Sequence, residues 1–242
     1  MLIGQIKEIV RHPVKSFRGE NVQKTKIMDY GLYGDRSHAL IDESNNRNFL
    51  SITQFQEMVR YKARFVGEER VEEYPKVEIV TPEGNVFDWD NKELMAEIEQ
   101  KSNRKVSTIT YPPAHVPIGP IAEENIQLVT DASLNKIEEL WGEAKIDHRR
   151  FRPNLIISLE DKNPFEEEKW FGKRLKIGPE VEIELIRHCK RCMIITVNPD
   201  NAERSPDLHK TVAKERKNNF GVYASVIKTG DIHVEDEVHL LD

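Results

Sequence analysis

Apolar positions along this chain alternate with polar ones, or form short blocks, more often than they follow a helical period. Runs at 2–10, 22–28, 37–41, 59–65, 77–81 and 106–110 are rich in Val, Ile, Phe and Thr and predict strands. Turn residues punctuate them at His12-Pro13, Gly19, Gly31, Gly34 and Pro82-Glu83-Gly84. One stretch, 92–101, has helical spacing and sets Leu94, Met95 and Ile98 on one face. The segment 111–120 carries Pro112, Pro113, Pro117, Pro120 and Gly119. It predicts an extended linker or surface loop, and divides the chain into a first unit, 1–110, and a second, 111–242.

The second unit opens with a predicted strand at 126–130. Thr130 or Asp131 can cap a helix over 132–141, with Leu134, Ile137 and Leu140 inward and Gly142 ending it. The segment 151–159 reads as extended, because Pro153 disfavours helix at Arg152. A short acidic turn or helix is expected at 165–170, where Glu166-Glu167-Glu168 reads as a solvated face. Further strands are expected at 175–177, 181–186, 193–197, 221–227 and 238–241, with Gly178 and Gly230 in turns. The excess of strands predicts a mostly β barrel with a few helices.

Composition narrows the class. At 242 residues, 38% hydrophobic and 32% charged, the chain can bury a sizeable core as one domain or two intertwined lobes. The net charge of −6 argues against nucleic acid as a partner. The N-terminus lacks the apolar core of a signal peptide, and no apolar run approaches membrane-spanning length, so the cytoplasm is the expected compartment and no membrane partner is expected. Two cysteines make neither a disulfide framework nor a four-cysteine iron–sulfur site.

Those cysteines form one Cys-x-x-Cys, Cys189 and Cys192, set among Arg187, His188, Lys190 and Arg191. Neighbouring positive charge favours the thiolate, the form that ligates metal or attacks electrophiles. A thiolate suits a soft or high-valent metal, or sulfur transfer. Two buried structural cysteines are an equally simple reading. A structural zinc site lacks its other two ligands. A thioredoxin-like pair should open a helix after a strand, whereas both flanks here read as strand.

Three other places join a turn to a base: Pro13-Val14-Lys15-Ser16, Gly31 to Asp35-Arg36, and Arg149-Arg150-Phe151-Arg152-Pro153-Asn154. Lysine, serine, arginine and backbone N–H groups together make a phosphate site if they converge. Taken singly, Lys15 reads as a solvated lysine, Asp35-Arg36 as a local ion pair and Asn154 as a turn former.

Together with the cysteine segment, these points resemble the MOSC family, named after the C-terminal domain of molybdenum-cofactor sulfurases. The first half resembles the β-barrel domain that precedes MOSC. The resemblance is carried by His12-Pro13-Val14-Lys15-Ser16, Gly31-Leu32, Asp35-Arg36, the segments 49–53, 131–134, 165–170 and 220–224, and Gly230-Asp231-Ile232. Its most specific part is Arg152-Pro153-Asn154 followed by Cys189-x-Arg191-Cys192-x-x-x-Thr196-x-x-Pro199. It spans nearly the whole chain and implies an α+β fold, mostly β: a MOSC-type barrel with an intertwined N-terminal β domain.

Within the family the chain is similar to the amidoxime-reducing members. That implies a molybdenum pyranopterin cofactor (Mo-molybdopterin), with Cys192 as metal ligand and catalytic residue, and Cys189 not a ligand. Phosphate and pterin contacts fall on Lys15, Ser16, Arg36 and Arg152, with Asn154 beside them and Lys190 and Arg191 in the loop leading to the ligand. The implied activity is reduction of an N-hydroxylated small molecule, an amidoxime or hydroxylaminopurine. Oxygen passes to reduced molybdenum with N–O cleavage, two protons and two electrons. A separate donor protein is expected to supply the electrons, since no ferredoxin module is seen, and nothing supports pyridoxal phosphate. The alternative is a carrier of persulfide sulfur or of the cofactor, without turnover. Two departures stand out. His12 replaces a tyrosine, and Ala122-Glu123-Glu124 stands where the family has hydroxyls. Glutamates beside a phosphate would repel it, so either they point away or the cofactor sits differently.

Overall fold

Ile6 and Ile9 are both fully buried in one core, although strict alternation would put residues three apart on opposite faces of a strand. A bulge resolves this. In the computed structural model, which describes residues 1–121, 123–143 and 145–241, the Leu2–Arg11 strand pairs Ile6 with Ile157 and Glu8 with Ile156. The extra residue resets the facing of the strand and adds local twist.

That first strand is part of a closed ring of seven. Around the ring, Leu155–Leu159 pairs with Ile126–Thr130, then come Asn219–Lys228, Val181–Lys190, Arg174–Ile177, Glu237–Leu240 and Leu2–Arg11, which returns to Leu155–Leu159. Closure leaves no unpaired edge within the ring. The one parallel pair, Ile126–Thr130 with Leu155–Leu159, is bridged by the helix Asp131–Trp141, as a parallel connection requires. Thr130 caps that helix by accepting from the Ser133 N–H at 3.2 Å, and Gly142 ends it with φ +71°. Inside the ring lie Ile3, Ile6, Ile9, Leu128, Leu155, Ile157, Ile183, Leu185 and Val222, among others.

The first half builds a second core around Phe17, Leu40, Tyr61, Ile79, Trp89 and Leu94. Its strands form small three-stranded sheets, one of which joins Lys24–Met28 and Gly31–Leu32 to Gly230–His233. With Leu2–Arg11 in the ring and residues 230–233 beside the first half, the two halves are intertwined. No helix among the described residues is long and apolar enough to cross a membrane.

Several local expectations are corrected. Met193–Thr196 is a 3-10 turn, not strand; the Thr196 hydroxyl donates to the Met193 carbonyl at 2.7 Å and tightens it. Gln56–Arg60 is likewise 3-10, with strand only from Lys62. Arg152 has φ +55°, so the residue before Pro153 is left-handed rather than extended. Glu167 is buried, not solvated; its carboxylate accepts from the hydroxyls of Thr130 at 3.1 Å and Ser133 at 3.0 Å. Leu140 is exposed rather than inward. A helix at Asp207–Arg216, absent from the expectations, packs Leu208 and Val212 against Ile137, Phe151 and Phe220 outside the ring.

Candidate functional site: a basic pocket beside an exposed thiol

Leaving the Leu2–Arg11 strand, the chain turns through His12 to Ser16. Val14 bridges to His38, and the Lys15 N–H donates to the His38 carbonyl at 2.8 Å. The second turn, around Gly34 to Ser37, docks on the first. The Arg36 N–H donates to the His12 carbonyl at 2.6 Å, and the His12 N–H donates to Asp35 Oδ1 at 2.7 Å. Gly34 is required here. Its φ is +68°, and a Cβ would meet the Phe65 ring at 2.5 Å.

Asp35 pairs with the Arg36 guanidinium in a buried contact. Burial acts to raise the Asp35 carboxyl, but Arg36 and the His12 donors outweigh it and hold it well below the usual carboxylate range. His12 is pushed down to about 3, by burial first and then by Arg152 and Arg36, so its ring is neutral.

Arg152 arrives from the second half. Its Nη1 donates to the Phe17 carbonyl, 135 residues away, at 2.9 Å. Its Nη2 is buried with no hydrogen-bond partner among the described residues. Lys15 Nζ donates to the Pro120 carbonyl at 2.9 Å and lies 5.5 Å from the Phe49 ring centroid. The Lys15 ammonium is pushed down to about 8 by burial first, then by Arg36 and Arg152, while Asp35 and Cys192 act the other way. The Arg36 backbone bond to the His12 carbonyl and the Arg152 bond to the Phe17 carbonyl dock both bases on the turn that carries Lys15. Ser16, Arg36 and Arg152 all have positive φ, at +71°, +53° and +55°. Non-glycine residues in that region store strain, which clusters at functional sites.

Cys192 is exposed at the head of the Met193–Thr196 turn, and Cys189 is buried at the end of the Val181–Lys190 strand. The Cys192 thiol can thus meet a metal or an electrophile, and the Cys189 thiol cannot without rearrangement. Among the described residues no group of three or more His, Cys, Asp or Glu side chains is placed to hold a metal ion. A metal at Cys192 would take its other ligands from elsewhere.

The remaining sequence-predicted residues are placed differently. Asn154 is committed to the barrel seam. Its Oδ1 accepts from the Gln127 N–H at 3.1 Å, and its Nδ2 donates to the Val10 carbonyl at 3.4 Å. Lys190 is exposed at the end of its strand, opposite Asn219. Arg191 is buried and donates to Cys189 and Phe151, away from Cys192. Glu123 and Glu124 both pair with Arg187, at 2.8 and 2.9 Å, so one of their two charges is answered by that guanidinium; Ala122 lies outside the described residues.

Sequence reasoning missed Asn218. Its Nδ2 donates to the Arg191 carbonyl at 2.6 Å and its own carbonyl accepts from the Arg191 N–H at 2.8 Å, pinning the cysteine corner. The one signal was asparagine just after a helix, where a left-handed residue is common; its φ is +65°. The Pro120 carbonyl on Lys15 had no signal, because backbone acceptors are invisible in side-chain patterns.

A closed strand ring with a basic, thiol-bearing rim defines the class, and comparison with known proteins places it. The MOSC domain model matches residues 112–239, and the MOSC N-terminal beta barrel domain model matches 3–113. The chain belongs to the MOSC family. It is similar to mitochondrial amidoxime reducing component 2 of Homo sapiens, 32% identical over 46% of this chain and 36% of that protein. The chain thus spans about a third of that relative's length. Mitochondrial amidoxime-reducing component 1 of Danio rerio is 23% identical over 98% of this chain and 85% of its own. Molybdenum cofactor sulfurase 2 of Culex quinquefasciatus is 37% identical over 33% of this chain and 10% of its own. Among solved structures, the YUAD protein of Bacillus subtilis superposes with a TM-score of 0.53 at 12% identity, covering 99% of this chain and 96% of that one, a likeness of fold.

Proposed function

We propose that this chain binds a molybdenum pyranopterin cofactor and reduces N-hydroxylated small molecules, of the amidoxime or hydroxylaminopurine type. The observation that carries the reading is that Arg36 and Arg152 both dock on the His12–Phe17 turn that holds Lys15 and Ser16, through the His12 and Phe17 carbonyls, while Cys192 presents an exposed thiol. The residues suit the group. Among the described residues Asp35 is the one carboxylate paired with these three cations, which favours an anionic cofactor, and Arg152 Nη2, without a partner among them, is a donor that an anionic oxygen would satisfy. Lys15, Ser16, Arg36 and Arg152 would hold the phosphate and pterin, and Cys192 Sγ would ligate the metal. The bound cofactor would supply two-electron chemistry at a centre able to accept oxygen.

The chain's own residues do the rest. Asp35 and the Phe17 carbonyl fix the Arg36 and Arg152 guanidiniums, so little reordering is needed on binding. Lys15 Nζ holds its proton at neutral pH beside the pocket. Asn154, Arg191 and Asn218 position the seam and the cysteine corner. Reducing equivalents would come from a separate donor protein. The two free thiols agree with a reducing compartment, the cytoplasm.

The exposure of Cys192 also supports a second reading, a persulfide or cofactor carrier without turnover. Elemental mass spectrometry separates the two. The protein is purified from a cofactor-competent host, beside Cys192→Ser and material from a cofactor-deficient host. Near one molybdenum per chain, lost in both controls, leads to reductase assays on N-hydroxylated bases. Folded protein without molybdenum in any sample sinks the reductase reading. A labile sulfur adduct on Cys192 then selects the carrier.

A further inference from the structure

His38 is only 4% exposed, yet it borders an open groove of about 650 Å³. None of Lys15, Ser16, Arg36, Arg152 and Cys192 lines this groove. The Tyr74 and Trp89 ring centroids each lie 5.5 Å from that of His38, and both residues line the groove. The imidazole is therefore set between two of the groove's walls. Ser37 fixes its tautomer. The Ser37 hydroxyl donates its one proton to the Gly34 carbonyl at 2.8 Å, so its oxygen accepts from His38 Nδ1–H, also at 2.8 Å. Burial pushes the ring down to about 4, so it is neutral. His38 Nε2 then carries a free lone pair, and no donor among the described residues uses it. A buried acceptor left unused is uncommon, and this one sits at the wall of an open groove.

The charges around the groove are mostly of one sign. Glu72, Glu73, Asp88 and Asp90 line it, and Lys76 is the one Lys or Arg among the described residues that do. Lys76 pairs with Asp88 at 2.7 Å, which leaves Glu72, Glu73 and Asp90 without a salt bridge among the described residues. These carboxylates are dispersed. Among the described residues no three His, Cys, Asp or Glu side chains are placed to hold a metal ion. Tyr74, Trp89, Tyr111 and Pro112 give the same groove aromatic and apolar faces.

We propose that this groove binds a linear aliphatic polyamine, one ammonium donating to His38 Nε2 and the others pairing with Glu72, Glu73 and Asp90. Dispersed carboxylates suit a cation whose charges are spaced along a chain, whereas a metal ion needs its oxygens gathered at one point. The methylenes between the ammoniums cover the aromatic faces, and an ammonium over a ring gains from its quadrupole. An ammonium is all donor and no acceptor, so it satisfies a lone pair and a carboxylate alike. Lys76 on Asp88 already shows a flexible alkylammonium seated on a groove carboxylate. The volume is ordinary for a small-ligand site. The groove takes this ligand whether or not the chain carries molybdenum.

Isothermal titration of the full chain with spermidine, at constant ionic strength, tests this. Wild type is compared with Glu73→Gln, Asp90→Asn and His38→Phe, and with Glu160→Gln, an exposed carboxylate outside the groove. Circular dichroism checks folding. Glu73 and Asp90 are exposed, so their variants decide if His38→Phe does not fold. Spermidine is expected to bind wild type with a Kd below about 1 mM. Glu73→Gln and Asp90→Asn should each weaken binding about two- to fivefold, the range of an exposed ion pair. His38→Phe should weaken it about tenfold or more, and Glu160→Gln should leave it unchanged. Equal weakening in Glu160→Gln would show diffuse attraction to an acidic chain and overturn the proposal. So would unchanged binding in a folded His38→Phe, or Mg²⁺ or n-butylamine binding as tightly as spermidine. The absence of any wild-type binding up to about 10 mM spermidine would overturn it as well.

Discussion

Arg191 Nη1 donates to Cys189 Sγ at 2.7 Å, and its Nη2 donates to the Phe151 carbonyl at 2.7 Å. The guanidinium also lies 5.5 Å from the Phe151 ring centroid. The arginine next to Cys192 in sequence therefore serves the buried cysteine two residues back. The two sulfurs of one Cys-x-x-Cys have separate jobs: Cys189 anchors a buried cation, and Cys192 stands exposed at the head of the next turn.

Cys189→Ala is expected to lower stability by about 1–3 kcal/mol, because it strips a buried charged donor of its acceptor. Cys192→Ser, at an exposed position, should stay within about 0.5 kcal/mol of wild type while losing molybdenum. Urea midpoints and metal content together check the division. Equal loss of stability in both variants would refute it.

Asp35→Asn leaves the buried Arg36 without its counter-ion, and a cost of about 3 kcal/mol at pH 7 is expected. Because the native carboxyl is held below its usual range, wild type keeps this stability at any pH above the unfolded carboxylate's, and loses it only as pH falls through the native value. The gap between variant and wild type should therefore persist down to about pH 4 and narrow below it. A constant gap at pH 2–3 would show that the charge is not responsible.

Lys15 runs the other way. Its folded value of about 8 lies below the ordinary 10.5, so the unfolded chain binds more protons between them, and stability rises with pH across that window. Below pH 8 the full penalty is present. Lys15→Met should stabilise the ligand-free protein at pH 7 by about 1–2 kcal/mol, with the advantage fading towards pH 10.5. A methionine variant less stable than wild type at pH 7 would mean that the bond to the Pro120 carbonyl outweighs the burial and repulsion.

Glu167 is raised by burial, against the hydroxyls of Ser133 and Thr130. For a raised carboxyl, stability falls as pH climbs through the native value. Glu167→Gln, neutral and able to accept the same bonds, should match or exceed wild type at pH 8. Glu167→Ala should lose about 1–3 kcal/mol by leaving two buried hydroxyls with fewer partners. Thermal melts at pH 5 and pH 8 read both arms, and a glutamine variant as damaged as the alanine one would count against the burial argument.

Legibility in the sequence followed the range of the interaction. The strands Val106–Thr110 and Ile126–Thr130 were expected with those bounds, and the following helix was expected with Thr130 or Asp131 as its cap, a choice the structure settles on Thr130, and with its Gly142 stop. Each rests on neighbours a few residues apart. Met193–Thr196 defied its strand-like composition because Thr196 bonds back to Met193 and Asn218 holds the cysteine corner. Arg152 defied the extended bias before proline because its guanidinium is tied to the Phe17 carbonyl.

By itself the sequence determined the β-rich class, the family and the residue types of the site: one exposed-capable thiol and a set of bases at turns. Only the tertiary structure decided which of them meet. It docked Arg36 and Arg152 on the turn that carries Lys15, turned Arg191 to Cys189, spent Asn154 on the seam, paired Glu123 and Glu124 with Arg187, and lined one cavity with Arg149, Arg150 and Arg152 together. The physical reason is that charge and hydrogen bonding act through space over a few ångströms. Barrel closure, not sequence spacing, sets those distances.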